Sequence, residues 1–424
     1  MKIPASTHFC MQDRELTVDG IALSRIAEQV GTPCYVYSAA AIEEAYRSID
    51  QALSSVPHMV AYAVKANSNL SVLSLLSRLG SGADIVSGGE LTRVLAAGFP
   101  PSRVAFSGVG KRDAEIEMAL EAGIASLHAE SEAEIFAIEE IAKAKSKVAP
   151  LVLRVNPDVD ANTHPYISTG LHSTKFGIEL DVARRMLPHL LQSPHLRLVG
   201  IACHVGSMVL DPAPIGEATQ RIAEFAVECH KAGAKLEILD AGGGWPILYG
   251  NEESVAKSHQ IFGQSIIEGM RRGGALDLGL SLMVEPGRSI VGDAGVLLTR
   301  VLYIKEQAGK RFVVVDGAMT ELIRPALYDA YHAVVPVTQP MQDLSRADVV
   351  GPVCESADFF AKDRPLPPLQ RGDLLAVRGA GAYAAVMASN YNSRPMAPEV
   401  LAQAGEFAVV RRRQTMDDVL RNER

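Results

Sequence analysis

The sequence predicts an α/β chain in which a (β/α)8 TIM barrel is followed by a C-terminal β-rich domain that also takes up the N-terminal segment. Three observations carry this. From about residue 38 to 290, helix-like segments alternate with short apolar, β-branched runs, the pattern of repeated strand-helix units around a parallel sheet. There are eight such runs, the number that closes a barrel: residues 60–64, 83–86, 104–106, 126–128, 151–155, 199–204, 236–239 and 282–284. After about residue 295 the pattern becomes β-type runs separated by loops, at 296–303, 312–315, 334–337 and 374–377.

Taken in chain order, residues 1–37 end in the strand-like run 34–37 and are expected to join the β domain, residues 38–292 form the barrel, and 293–424 the β-rich domain. Within the barrel, Ser131 and Glu134 form a capping-box pair ahead of a helix over 131–145. Ala97-Gly98, Ala122-Gly123 and Ala232-Gly233 each close a helix shortly before the next strand, because glycine takes the left-handed C-cap conformation cheaply. The polar stretch 156–176 is too long for an ordinary connection and reads as an active-site loop. In the last domain, 364–368 carries three prolines and reads as a loop.

A chain of 424 residues with 48% apolar content buries a sizeable core. Its formal net charge is −8 with the signs mixed along the chain, which argues against nucleic acid as a partner. The five cysteines, Cys10, Cys34, Cys203, Cys229 and Cys354, are widely spaced with no C-x-x-C pair, so neither a disulfide framework nor a structural zinc is expected, and a reducing cytoplasm is the natural compartment. No signal-peptide core and no apolar stretch near the ~20 residues of a membrane span is apparent.

Polar or glycine-rich sequence follows nearly every barrel strand: Lys65, Asp84 with Ser87-Gly88-Gly89-Glu90, Ser107-Gly108, Arg154-Val155-Asn156, His204-Val205-Gly206-Ser207, Gly242-Gly243-Gly244, and Glu285-Pro286-Gly287-Arg288. In a barrel these ends converge on the face where active sites form. Lys65 stands at the end of an apolar run, where partial shielding lowers an amine's pKa and lets it attack a carbonyl; alone, such a lysine is more often a solvated strand end. Gly242-Gly243-Gly244 is by itself more often a plain loop, but with Ser207 and the Gly287-Arg288 pair it reads as a nest of donors for a phosphate. No G-x-x-x-x-G-K-[ST] sequence occurs, which excludes a P-loop. A phosphate nest plus an imine-forming lysine implies pyridoxal phosphate.

The ordered set Tyr-Ala-Val-Lys-Ala-Asn (62–67), His-Val-Gly-Ser (204–207), Gly-Gly-Gly (242–244), Glu-Pro-Gly-Arg (285–288), Cys-Glu-Ser (354–356) and Gly-Ala-Tyr (381–383) resembles that of the diaminopimelate decarboxylases, alanine-racemase-like barrel enzymes that use pyridoxal phosphate. The resemblance spans nearly the whole chain and implies conversion of meso-2,6-diaminopimelate to L-lysine and CO2. By it, Lys65 bonds the cofactor, His204 stacks on its ring, and Glu285 sits beside the pyridine nitrogen. A carboxylate there keeps that nitrogen protonated. Asp84, Arg154, Ser207, Gly243, Gly244, Gly287, Arg288 and Tyr383 are the further cofactor contacts.

Cys354 matches the acid that returns a proton after decarboxylation, and a thiol with an ordinary pKa of about 8.5 is mostly protonated at pH 7. Glu355 matches the group that receives the substrate's distal ammonium, and Arg288 and Arg324 match guanidiniums that hold its distal carboxylate in paired bonds. Tyr328 and Tyr383 match hydroxyl contacts. The resemblance further implies a homodimer with shared active sites, the Cys-Glu-Ser loop reaching the partner. Met208, Trp245-Pro246, Ala357 and Ala384 depart from the usual family pattern. They leave the catalytic set intact and bear on substrate identity and pocket shape; the alternatives are a related decarboxylase for another, or a carrier-bound, amino acid, and a non-catalytic pyridoxal phosphate-binding homologue.

Overall fold

The computed structural model describes residues 8–160, 175–250, 259–338 and 344–423. It divides into two compact units, a barrel unit of residues 45–246 and 255–287 and a second unit of 1–44, 247–254 and 288–424. Most of the expected 156–176 loop lies outside the described residues.

In the barrel unit eight parallel strands close on themselves. They are β1 (His58–Ala63), β2 (Gly82–Ile85), β3 (Val104–Phe106), β4 (Ser126–Ala129), β5 (Ala149–Asn156), β6 (Leu196–Ala202), β7 (Ile238–Asp240) and β8 (Ser281–Val284). β8 completes the ring against β1, with Leu282 opposite His58 and Val284 opposite Val60. Because helices cover the outside and side chains fill the inside, both faces of each strand are dry. Every residue of β2, β3 and β4 is buried, which is why these strands appear as short continuous apolar runs rather than alternating ones. Small and flexible side chains, Ala61, Ala105 and Met283 with Met59 and Ile238, fill one interior layer. Fully buried Leu127, Leu151 and Leu282 each contribute about 2 kcal/mol of apolar burial.

The helix closures behave as expected. Gly98, Gly123 and Gly233 take φ of 89°, 69° and 106°, where a side chain would be strained. The capping box at Ser131 is only half formed. The Ser131 hydroxyl accepts from the Glu134 N–H at 3.1 Å, but the Glu134 carboxylate accepts from the Glu130 N–H at 2.7 Å and from Lys111 at 2.8 Å instead of returning to Ser131. A buried ammonium is the stronger partner.

The second unit is built on a strand at Gly295–Gln307, whose residues 295–298 pair with Cys34–Ser38, 296–300 with Leu374–Arg378 and 301–307 with Lys310–Val315. The N-terminal strand Cys34–Ser38 pairs antiparallel with residues 295–298, so the segment before the barrel does join the β-rich part. Its core gathers Val36, Val296, Leu298, Val337, Ala376 and Val400. One expectation is corrected: residues 364–366 are not loop but the end of the strand Phe359–Leu366, in which Pro365 lies opposite Arg346. This strand is the last of its sheet, and an edge position tolerates a residue that cannot donate to a ladder.

Candidate active site

Lys65 is not in the strand but on a single 3-10 turn, Val64–Ala66, directly after β1. Its Nζ donates to Asp84 Oδ2 at 2.8 Å; the carboxylate is fully enclosed while the lysine side chain keeps 40% of its exposure. Burial alone would raise the Asp84 pKa, but the Lys65 charge and hydrogen bond outweigh it and hold the carboxyl below its usual value. The turn is clamped from β8. The Ala63 N–H donates to the Pro286 carbonyl at 3.1 Å, and a Cβ on Gly287 would stand 2.9 Å from Ala66 and 3.0 Å from Ala63. Glycine at 287 is therefore needed for close approach.

Across the same end of the barrel, Glu285 follows β8 and is buried. Burial, and then the nearby Asp84 charge, raise its pKa to about 7, against the opposing pull of Lys65 and Arg154. Ser107, after β3, donates to Glu285 Oε1 at 3.3 Å. Arg154 in β5 is held by the buried Glu130 at 2.9 Å and lies 5.0 Å from the Phe176 ring centroid. Glu130 also accepts from the Gly108 and Gly177 N–H groups and so ties three loops together.

His204 follows β6. Enclosure lowers its imidazole pKa to about 3, with the Arg154 and Lys65 cations acting the same way, so the ring is neutral. Its Nδ1 accepts from the Gly243 N–H at 3.1 Å, which leaves the ring proton on Nε2. The glycine triplet is thus not an open nest. The Gly242 N–H donates to Asp240 Oδ1 at 2.9 Å, so the first two N–H groups of the triplet fix neighbouring side chains. Ser207 is half-buried, and Met208 next to it takes a left-handed φ of 59°. Trp245 is buried and stacks on Phe262 with centroids 5.5 Å apart, within the barrel unit.

In the second unit, Arg288 and Arg324 are both buried and share one aromatic residue that the sequence did not flag, Tyr249. Arg288 Nη1 donates to the Tyr249 hydroxyl at 2.6 Å, and the Arg324 guanidinium lies 4.7 Å from the Tyr249 ring centroid. Tyr383 adopts a left-handed φ of 53°, at a cost of about 1 kcal/mol, and its ring centroid is 4.6 Å from the Arg288 guanidinium. A second unflagged residue is His332. It is completely buried, donates from Nδ1 to the Arg378 carbonyl and accepts the Arg324 Nη1–H at Nε2, each at 2.8 Å. Burial and the Arg324 charge lower its pKa to about 3, so the neutral ring can accept that bond. Tyr328 ends the short helix Arg324–Tyr328 and is half-buried.

Cys354, Glu355 and Ser356 form an exposed tripeptide on a braced loop. The buried Asp358 accepts from the Val353 N–H at 2.7 Å and the Met319 N–H at 2.6 Å, and the Cys354 N–H donates to Asn392 at 3.0 Å.

The barrel unit's donor set fits pyridoxal phosphate: an accessible amine, a neutral imidazole and a buried carboxylate at the ends of three strands, with Gly206 and Gly244 in conformations of φ 154° and 92° that bring backbone close. Residues 39–292 match the family model for the pyridoxal binding domain of pyridoxal-dependent decarboxylases. The diaminopimelate decarboxylase of Pseudomonas aeruginosa is 48% identical over 415 residues, covering 98% of this chain and 98% of its own. That of Vibrio cholerae is 44% identical, covering 96% of each. Among solved structures, diaminopimelate decarboxylase from Helicobacter pylori complexed with L-lysine superimposes with a TM-score of 0.90 at 43% identity, covering 94% of this chain and 98% of that one. The enzyme from M. jannaschii in co-complex with L-lysine gives 0.93 at 34% identity, covering 98% of each. With its strand-end lysine, imidazole and carboxylate and its full-length likeness to these proteins, the chain belongs to the diaminopimelate decarboxylase family of pyridoxal-dependent decarboxylases.

Proposed function

We propose that this protein is a carboxy-lyase that uses pyridoxal 5'-phosphate to convert meso-2,6-diaminopimelate to L-lysine and CO2, the closing step of lysine biosynthesis. The observation that carries the substrate is the buried guanidinium pair Arg288 and Arg324, organised around Tyr249, since two cations fixed against one tyrosine answer a carboxylate at the far end of an amino acid. When bound, the cofactor supplies an electron sink for the pair left on the α-carbon as CO2 departs.

The chain's own groups then have separate tasks. Lys65 holds the cofactor through Nζ, and Asp84 orients that amine. His204 presents a neutral ring face, and Glu285 offers the carboxylate that keeps the pyridine nitrogen protonated. Arg154, Ser207, Gly243, Gly244, Gly287 and Tyr383 complete the cofactor contacts, Gly243 by setting the His204 tautomer. Arg288, Arg324, Tyr328 and Tyr383 bind the distal carboxylate, and Glu355 the distal ammonium. Cys354 delivers a proton from Sγ to the α-carbon. The exposure of Cys354, Glu355 and Ser356 on the single chain supports a homodimer in which these residues serve the partner's site. A cytoplasmic location accords with five free cysteines, and among the described residues no helix is long and apolar enough to cross a membrane.

Comparing substrates tests this reading. The value of kcat/KM for meso-diaminopimelate should exceed that for ornithine, which lacks a distal carboxylate, by about 10^4 or more. In the same assay His332→Ala should raise KM for meso-diaminopimelate about tenfold with little change in kcat, because Arg324 loses the acceptor that aims it. Equal turnover of ornithine would overturn the substrate assignment.

A further inference from the structure

Two buried groups in the barrel have no part in the chemistry above: Asp240 at the end of β7 and His128 in β4. The ligating atoms of His128, Asp240 and Glu285 all lie within 4.8 Å of one another, and all three residues are buried. Asp240 Oδ1 accepts the Gly242 N–H, but Oδ2 is sealed from solvent with no hydrogen-bond partner among the described residues and lies 3.7 Å from His128 Nδ1. An ionised oxygen in that position, facing a second carboxylate, would cost several kcal/mol.

His128 does not neutralise it. Both ring nitrogens are engaged by serine hydroxyls, Nδ1 with Ser107 at 3.3 Å and Nε2 with Ser126 at 3.0 Å. Burial lowers the His128 pKa to about 3, although Asp84 pulls the other way, so the ring carries no charge. A metal ion bridging the three residues would have to displace one of those serines. A proton requires no such rearrangement.

We propose that Asp240 is a positioning residue that holds a proton, its carboxylic acid donating from Oδ2 to Glu285 so that Glu285 remains the carboxylate facing the cofactor nitrogen. This rests on the role assigned to Glu285 and deepens it: two adjacent acids share one proton, and the structure decides which keeps it. Burial, then the Glu285 charge beside it, push Asp240 well above the ordinary carboxyl range, whereas Glu285 is raised less because Lys65, Arg154 and Asp240 all favour its charged form. The remaining ionised neighbour, Asp84, is compensated by Lys65.

Infrared spectroscopy of the full-length holoenzyme labelled with 13C-aspartate reads the proton directly. At about pH 8.5, where ordinary carboxyls are ionised, an aspartic acid C=O band sensitive to D2O should persist in wild type and vanish in Asp240→Asn. Asparagine is neutral and still donates, so Asp240→Asn should keep kcat within about fivefold, while Asp240→Ala should lose about thirtyfold. Absence of the band in wild type, or equal losses in Asn and Ala, would overturn the proposal; so would a stoichiometric metal found by elemental analysis in wild type and missing from Asp240→Asn. The band needs no turnover and can be read on wild type alone, so it stands or falls apart from the decarboxylase reading.

Discussion

Lys65→Ala should reduce kcat by about 10^4, about 5 kcal/mol of transition-state free energy, and abolish the visible absorption of lysine-bound cofactor. No other described residue places an amine at the strand ends in contact with Asp84. The same substitution has a signature in stability. In wild type the Asp84 pKa is depressed, so its contribution is present above the unfolded value and lost as pH falls through the lower folded value. Without Lys65, burial is opposed only by the Ser107 hydrogen bond and by His128, so the folded pKa of Asp84 rises and this contribution shrinks. The destabilisation of Lys65→Ala should then be greatest near pH 7 and shrink as pH falls toward the unfolded carboxyl value, which denaturant titrations at two pH values will measure. A variant that keeps activity, or whose deficit grows in acid, contradicts the pairing.

Cys354→Ala should lower kcat by about 10^2 to 10^3, the range for loss of a positioned general acid, while the absorption of lysine-bound cofactor is retained. The loop offers a clean test because its backbone is braced by Asp358 and Asn392 and the thiol is exposed, so removing Sγ leaves no cavity and breaks no bond that holds the loop. Loss of cofactor binding in this variant, or unchanged kcat, would remove Cys354 from the proton-donor role.

Why these residues were legible in the sequence, and others not, follows from where they sit. Barrel strands buried on both faces leave short apolar runs, and the polar residues that follow them, Lys65, His204 and Glu285, stand out as an ordered set at the strand ends. The strand Phe359–Leu366 escaped because its prolines signal loop, and only the paired sheet shows that it is an edge. Tyr249 and His332 were missed for a different reason. Each is unremarkable in its local sequence, and its importance lies in the guanidinium it meets once the chain is folded, Arg288 for Tyr249 and Arg324 for His332. Asp240 and His128 stand at the ends of apolar runs, and a lone polar residue there carries no sign of the partners it meets across the barrel. The glycine triplet was legible as special backbone, but which atoms its N–H groups hold depended on the positions of Asp240 and His204.

The central claim is that the barrel's lysine and carboxylate sustain loss of CO2 followed by return of one proton. Turnover of meso-diaminopimelate in D2O, with CO2 and lysine quantified together, measures both halves at once. The account predicts CO2 and lysine in equal amounts, each lysine carrying one deuterium on the carbon that lost the carboxylate. Deuterium entering diaminopimelate without release of CO2, the mark of racemisation, would contradict it.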